Sequence, residues 1–261
     1  MTMFRASDVR YAEGLDATVY TPEGDGPFPA LVVVHAGAWT IGDRFTHERA
    51  VEDLAGRGIA AMAIEFRMPP QARYPEPISD IAAAIEWLHA NAADFDIDPG
   101  RIGGFGLSSG GHQLLLAALR PSDPRWPAAR ERPCAFVVIA FAVTDPLARY
   151  RMVSERSIEF LRSAHHAYWP DEAAMAEGNP QLLIERGEAE RLPPLLVLQG
   201  TVDENLTDDM AQRFVAAYRG AGGDATLELF EGEPHAFIDR FPDSGATRRA
   251  LDAIVGFVGA R

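Results

Sequence analysis

The sequence predicts an α/β fold built on a mostly parallel sheet with helices on both faces. Two observations carry that prediction. Apolar, β-branched runs alternate with stretches of helical period over most of the 261 residues. No internal repeat and no low-complexity linker interrupts the alternation, so a single domain spanning 1–261 is expected.

In chain order, residues 9–20 read as one or two short strands of an antiparallel edge. The principal strand candidates are 31–35, 59–66, 101–106, 135–142, 195–200 and 226–230. Ile78, Ile81, Ile85 and Leu88 recur at three and four residues, which puts one buried stripe on a helix. Asp98 and Pro99 end that connection and start the next strand. Thr207, followed by Asp208 and Asp209, is placed as a helix N-cap with acidic residues in the first turn. Gly220, Gly222 and Gly223 stop that helix, and Leu251, Ile254, Val255 and Val258 line one face of a closing helix. The exception to the alternation is the stretch from Asp145 to Leu192, too long for an ordinary connection. It reads as a cap-like insertion of short helices over the sheet, at about 146–192, carrying Tyr150, Phe160, Tyr168 and Trp169.

Charge narrows the partners. With 24 basic and 38 acidic residues the formal net charge is -14, which repels phosphate backbones and anionic membrane faces. Neither nucleic acid nor a membrane is expected as partner, and a neutral or weakly charged small molecule fits better. The one cysteine, Cys134, excludes an intramolecular disulfide and lies in a strand-like run, as a buried thiol would. The opening MTMFRASDVRYAEG lacks the basic segment and apolar run of a signal peptide, and no apolar run approaches membrane-spanning length. The cytoplasm is the expected compartment.

The stretch GFGLSSGGH, residues 104–112, crowds four glycines around two serines after a strand candidate and before a helix. Gly106 to Gly110 fits G-x-S-x-G. That spacing lets a chain turn sharply from strand to helix and present a serine oxygen at the sheet edge, with small residues two before and two after to relieve clashes. Ser108 holds the central position, and the amide of Ser109 is placed to face a developing oxyanion. Alone, the pentapeptide also fits a tight glycine turn.

A nucleophilic serine needs a base, and His235 in EGEPHAF follows the last strand candidate directly. His35 is expected to shape its loop and His112 to face the packing side of its helix. His47 and His89 are expected on solvated helix faces, and the pair His165 and His166 on the insertion surface or a pocket wall. No carboxylate or cysteine stands at ligand spacing beside that pair, so no metal is expected. The carboxylate that orients the base is assigned to Asp203 in LLVLQGTVDEN, ahead of the competing Asp145, because it completes the chain order Ser, Asp, His. Glu204 and Asp208 read as loop charge and helix capping. HAGAW, residues 35–39, supplies Gly37 and Ala38 as further oxyanion donors.

Together HAGAWTIGD, EFRMPP, YPEPISDIAAAIEWL, RIGGFGLSSGGH, LLVLQGTVDENL and EPHAF resemble the serine hydrolases of the α/β-hydrolase fold. The likeness is to the hormone-sensitive-lipase-like esterases and the bacterial acetylxylan and feruloyl esterase-like branch. It implies a mostly parallel eight-stranded sheet and a carboxylesterase acting on small to medium acyl esters through Ser108, His235 and Asp203, without cofactor. In that family the oxyanion loop usually reads His-Gly-Gly-Gly, whereas alanine stands here at 36 and 38. Arylformamidases share the pattern, and Trp39 and His112 echo theirs, so a formamide hydrolase is the alternative. A noncatalytic ligand-binding protein on the same scaffold is a second, and a lyase on that scaffold a third. Trp39, Tyr168 and Trp169 are expected on the wall of a moderately open substrate pocket. An exposed sheet edge or the last helix could serve a homodimer, and no feature of the sequence decides it.

Overall fold

The computed structural model describes residues 3–129 and 131–261. Eight strands form one sheet in the order β1-β2-β4-β3-β5-β6-β7-β8. They are β1 (Phe4–Ala12), β2 (Leu15–Pro22), β3 (Phe28–Val34), β4 (Ala60–Ile64), β5 (Ile97–Leu107), β6 (Val137–Ala140), β7 (Leu195–Gly200) and β8 (Ala225–Phe230). β1 pairs antiparallel with β2 and β2 with β4, and every later pairing is parallel. The helices are α1 (Glu48–Ala55), α2 (Glu76–Ala90), α3 (Ser109–Leu119), α4 (Pro146–Glu155), α5 (Glu159–Tyr168), α6 (Glu172–Glu177), α7 (Pro180–Glu185), α8 (Met210–Gly220), α9 (Phe237–Arg240) and α10 (Gly245–Gly259).

Alternate residues along a strand point to opposite faces, and here both faces are buried. In β3, Val32 and Val34 join a core with Ile78, Ile81 and Leu115, while Leu31 and Val33 join another with Leu54, Ile254 and Val258. The strands are therefore apolar almost throughout. The parallel register brings their carboxyl ends to one edge: Val34 pairs with Gly106, Leu107 with Ala140, and Gly200 with Phe230. Loops leaving β3, β5, β7 and β8 consequently meet there. In open α/β sheets that edge is where ligands bind.

Several local expectations shift. β5 begins at Ile97, so Asp98 and Pro99 lie within it beside a register shift opposite Phe28 and Ala30. β6 stops at Ala140, because Phe141 takes φ +41° and leaves the pleat. α8 begins only after Asp209, so Thr207 is not its cap. Between β6 and β7 stand the four helices α4 to α7, three of them capped by side chains: Asp145, Asp171 and Asn179 accept from the amides of Ala148, Ala174 and Leu182. Among the described residues, no helix is long and apolar enough to cross a membrane.

Candidate active site

Ser108 sits between β5 and α3 with φ +50° and ψ −117°, a conformation that L residues rarely hold. Its amide donates to Ala140 O at 2.9 Å and its carbonyl accepts from Val143 N at 3.2 Å, which ties the turn to the end of β6. The flanking glycines are required by close approach. A Cβ on Gly106 would lie 2.6 Å from the Gly111 Cα, and one on Gly110 only 2.3 Å from the Val34 carbonyl oxygen.

Three side chains from three loops meet at this edge. His235 Nε2 lies 3.0 Å from Ser108 Oγ, and His235 Nδ1 lies 2.8 Å from Asp203 Oδ2. Asp203 also accepts from Gln199 Nε2 at Oδ2, 3.0 Å, and from the Asn205 amide at Oδ1, 2.9 Å. Burial works to raise the Asp203 carboxyl, but these donors and the imidazole outweigh it and hold the group below the ordinary carboxylate value. The His235 ring packs edge-on against Phe141, 5.1 Å between centroids. Its backbone amide donates to Glu204 Oε2 at 3.2 Å, so Glu204 fastens the base loop in addition to carrying loop charge. The competing Asp145 lies elsewhere, capping α4 and accepting from Asn179 Nδ2 at 2.8 Å.

The loop after β3 runs through positive φ at Gly37 (+132°), Ala38 (+50°) and Trp39 (+66°). Gly37 O accepts from the amides of Thr40 and Ile41, closing the turn. Ala38 thus stands in left-handed backbone, which costs an alanine on the order of 1–2 kcal/mol. Among the described residues, the amides of Gly37, Ala38 and Ser109 have no hydrogen-bond acceptor within the protein. An unbonded amide next to a histidine-bonded serine, with two more in the loop leaving β3 at the same sheet edge, is a set of donors that can stabilise an oxyanion.

The other histidines differ from expectation in part. His35 stacks on Phe66 at 4.3 Å and donates from Nδ1 to Ala36 O at 2.7 Å, shaping the loop as its position suggested. His112 is fully buried: Nδ1 accepts from Trp39 Nε1 at 3.2 Å and Nε2 donates to Gly178 O at 2.8 Å. His47 is buried, not solvated, and bridges Asp239 to the Ala36 amide. His89 is half-buried, and its burial lowers its pKa. His165 is buried edge-on against Trp39, whereas His166 reaches outward to Tyr150.

The expected pocket wall is corrected more strongly. Trp39, Tyr168 and Trp169 are 1%, 0% and 1% exposed and pack on one another, so they belong to a shared core and do not line an open cleft. Ser108 itself is 3% exposed, a narrower approach than the short amino-terminal region implied. A cleft of about 400 Å³ does open between α1 and α10, but Arg49 pairs with Asp243 and Arg57 with Asp252 across it, and neither Ser108, Asp203 nor His235 borders it. Sequence gave no warning of Arg149, which is buried in α4 with its guanidinium over the Trp39 ring and Nε donating to Asn205 O at 3.1 Å. Burial lowers its pKa to about 10, against the attraction of Asp203. Among the described residues, no cluster of three or more His, Cys, Asp or Glu side chains is arranged to hold a metal ion.

A strand-turn-helix serine, a loop of free amides after β3 and a histidine after β8 on an eight-stranded sheet define an α/β hydrolase scaffold. The family described as alpha/beta hydrolase fold matches residues 31–239, and the chain belongs to it. Esterase LipC of Mycobacterium tuberculosis is 30% identical over 218 residues, 81% of this chain and 53% of LipC. Isoprenylcysteine alpha-carbonyl methylesterase ICME of Arabidopsis thaliana is 25% identical over 258 residues, 93% of this chain and 58% of that protein. The chain therefore spans little more than half the length of these relatives. Among solved structures, carboxyl esterase 2 of Tuber melanosporum superposes with a TM-score of 0.84 at 22% identity, covering 99% of this chain and 88% of that one. The hyperthermophilic esterase of Pyrobaculum calidifontis gives 0.82 at 20% identity, covering 99% and 86%. At such identities the structures share the fold.

Proposed function

We propose that the protein is a single-domain serine carboxylic ester hydrolase acting on small to medium acyl esters. The observation that carries this reading is the unbroken run of hydrogen bonds from Ser108 Oγ through His235 to Asp203, at the sheet edge where the loop with the unbonded Gly37 and Ala38 amides also leaves β3. The esterase names of LipC and ICME support the reaction class.

The steps follow from the geometry. Ser108 Oγ attacks the ester carbonyl carbon while His235 Nε2 takes its proton, and Asp203 holds the Nδ1–H tautomer and stabilises the imidazolium. The carbonyl oxygen gains negative charge and accepts from the amides of Gly37, Ala38 and Ser109. Each such donor contributes about 2.7–4 kcal/mol to the transition state. The intermediate collapses as His235 returns its proton to the leaving alkoxide, which departs as alcohol. Water then attacks the acyl-enzyme with His235 again as base, releasing the acid and restoring Ser108. No step requires a metal or organic cofactor. The small exposure of Ser108 favours compact acyl groups.

The test is a set of initial rates on p-nitrophenyl esters from acetyl to decanoyl and on an N-formyl aryl amide, for the native chain and Ser108→Ala. The variant is expected to lose ester turnover by at least about 10³-fold, with short chains preferred by the native protein. Preference for the formyl amide would move the protein to the arylformamidases. Undiminished turnover without Ser108 overturns the mechanism, and ligand binding with no turnover in either form identifies a binder.

A further inference from the structure

We propose that His47 and Asp239 form a positioning pair that locks the oxyanion loop to the segment carrying the catalytic base. His47 immediately precedes α1 and is 4% exposed. Its Nδ1 lies 2.7 Å from Asp239 Oδ1, and its Nε2 lies 3.0 Å from the Ala36 amide nitrogen. An amide can only donate, so Nε2 is the unprotonated nitrogen and Nδ1 carries the hydrogen given to Asp239. Asp239 stands in α9, four residues after His235, and its amide closes the turn onto Ala236 O.

The position of Ala36 makes this bond consequential. Its amide is held by His47 and its carbonyl by His35 Nδ1 at 2.7 Å, so the two peptide planes flanking its Cα are pinned from opposite sides. The second plane contains the Gly37 N–H, an oxyanion donor in the proposed function on which this inference rests. A trans peptide sets N–H opposite to C=O, so fixing Ala36 fixes where that donor points. Beyond Gly37, Ala38 and Trp39 hold positive φ that is strained for L residues. The bond from His47 to Asp239 then sets the distance between the donors and the base. The two His47 ring nitrogens are taken up by Asp239 and the Ala36 amide, so the role of the pair is positional.

The experiment compares His47→Asn, His47→Gln and Asp239→Asn with the native chain, using p-nitrophenyl acetate for turnover and NMR hydrogen exchange at the Ala36 amide. Glutamine reaches as far as Nε2, so its oxygen can accept from Ala36 while its NH₂ donates to Asp239, whereas asparagine ends near Nδ1 and can reach only Asp239. Asp239→Asn keeps an oxygen that accepts from His47. His47→Asn is therefore expected to lower kcat on the order of 10²-fold with KM changed less than about threefold, the signature of lost transition-state stabilisation. It should also expose the Ala36 amide to exchange. His47→Gln and Asp239→Asn should recover most of the native kcat and protection.

Phenylboronic acid, which forms a tetrahedral adduct on the serine, should bind His47→Asn more weakly by the same factor as kcat/KM falls. Equal kcat in the asparagine and glutamine variants, or a rise in KM alone, overturns the proposal. Exchange at Ala36 needs no turnover. Loss of protection in His47→Asn, in a native chain without serine-dependent turnover, would keep the lock and remove the hydrolase reading. Unaltered protection together with native turnover in His47→Asn would do the reverse. If asparagine at 47 prevents folding, the His47→Gln and Asp239→Asn chains carry the decision, since each must retain both the amide protection and kcat.

Discussion

The indole of Trp39 and the ring of Tyr168 lie parallel, 5.2 Å between centroids and 8° between planes. Trp39 follows Gly37 and Ala38 in the loop after β3, and Tyr168 ends α5, so a single stack joins that loop to the helices inserted between β6 and β7. Gln113 Nε2 donates to the Tyr168 hydroxyl at 3.3 Å, and Trp169 and His165 close the edges of the stack. These rings form a buried aromatic cluster.

Truncating Tyr168 to alanine should therefore act on stability first. A buried aromatic cut to alanine costs roughly 3–5 kcal/mol, and urea unfolding of Tyr168→Ala is expected to show a loss in that range. The ratio of decanoyl to acetyl turnover is the second readout. A changed ratio at native stability would return Tyr168 to a substrate wall.

Gly110 and Gly256 make a contrasting pair of glycines inside helices. A Cβ at 110 would meet the backbone oxygens of Val34 and His35 at 2.3 and 2.4 Å, while one at 256 meets nothing within 4 Å. Gly110→Ala must push α3 off β3, at a cost of about 1–3 kcal/mol or more, and should reduce kcat because both proposed oxyanion loops move. Gly256→Ala lies on an exposed face of α10 and should gain about 0.5–1 kcal/mol from lower chain entropy. Thermal melts of the two variants must shift in opposite directions, and a common sign would show that close approach is not what glycine at 110 provides.

The elbow was legible in sequence because its requirements are local: Gly106, Ser108 and Gly110 lie within five residues, and the strand-turn-helix context is read from the same stretch. The sheet was legible because both faces of each inner strand are buried and periodicity reports burial. His47 was not, since its neighbours Thr46 and Glu48 are polar and its partner Asp239 lies 192 residues away. The aromatic residues failed for another reason. Composition marks Trp39, Tyr168 and Trp169 as apolar and bulky, and a pocket wall and a packed core ask for the same residue types.

The Asp203 carboxylate is surrounded only by donors, which makes its amide analogue a sharp probe. Oδ2 accepts from His235 and Gln199, and Oδ1 accepts from the Asn205 amide. In Asp203→Asn the NH₂ group has to face one of these donors. Facing Asn205 costs that bond, and facing His235 forces the imidazole hydrogen onto Nε2, where it can no longer take the serine proton. A fall in kcat on the order of 10⁴-fold is expected from the wrong tautomer, with little change in KM. A loss below about tenfold would mean that another group orients His235.

Acid should destabilise the fold before its carboxylates titrate. Burial is the chief cause that lowers His35 and His112 from 6.5 to about 4 each, with only partial opposition from hydrogen bonds to Ala36 O and Gly178 O. The unfolded chain therefore binds more protons than the native one between about pH 6.5 and 4, so stability falls as pH falls through that window. At pH 5 the loss relative to pH 8 is about 2 kcal/mol for each histidine. The depressed Asp203 works in a lower window: its contribution is present above the ordinary carboxylate value and disappears as pH drops through the native value. His112→Gln can keep both contacts, its oxygen accepting from Trp39 Nε1 and its nitrogen donating to Gly178 O. Urea midpoints at pH 8, 6.5 and 5 are expected to fall less steeply in this variant, by the contribution of one histidine. Parallel pH dependences in the two proteins would show that His112 is protonated in the native state at pH 5, at odds with its burial between Trp39 and Gly178.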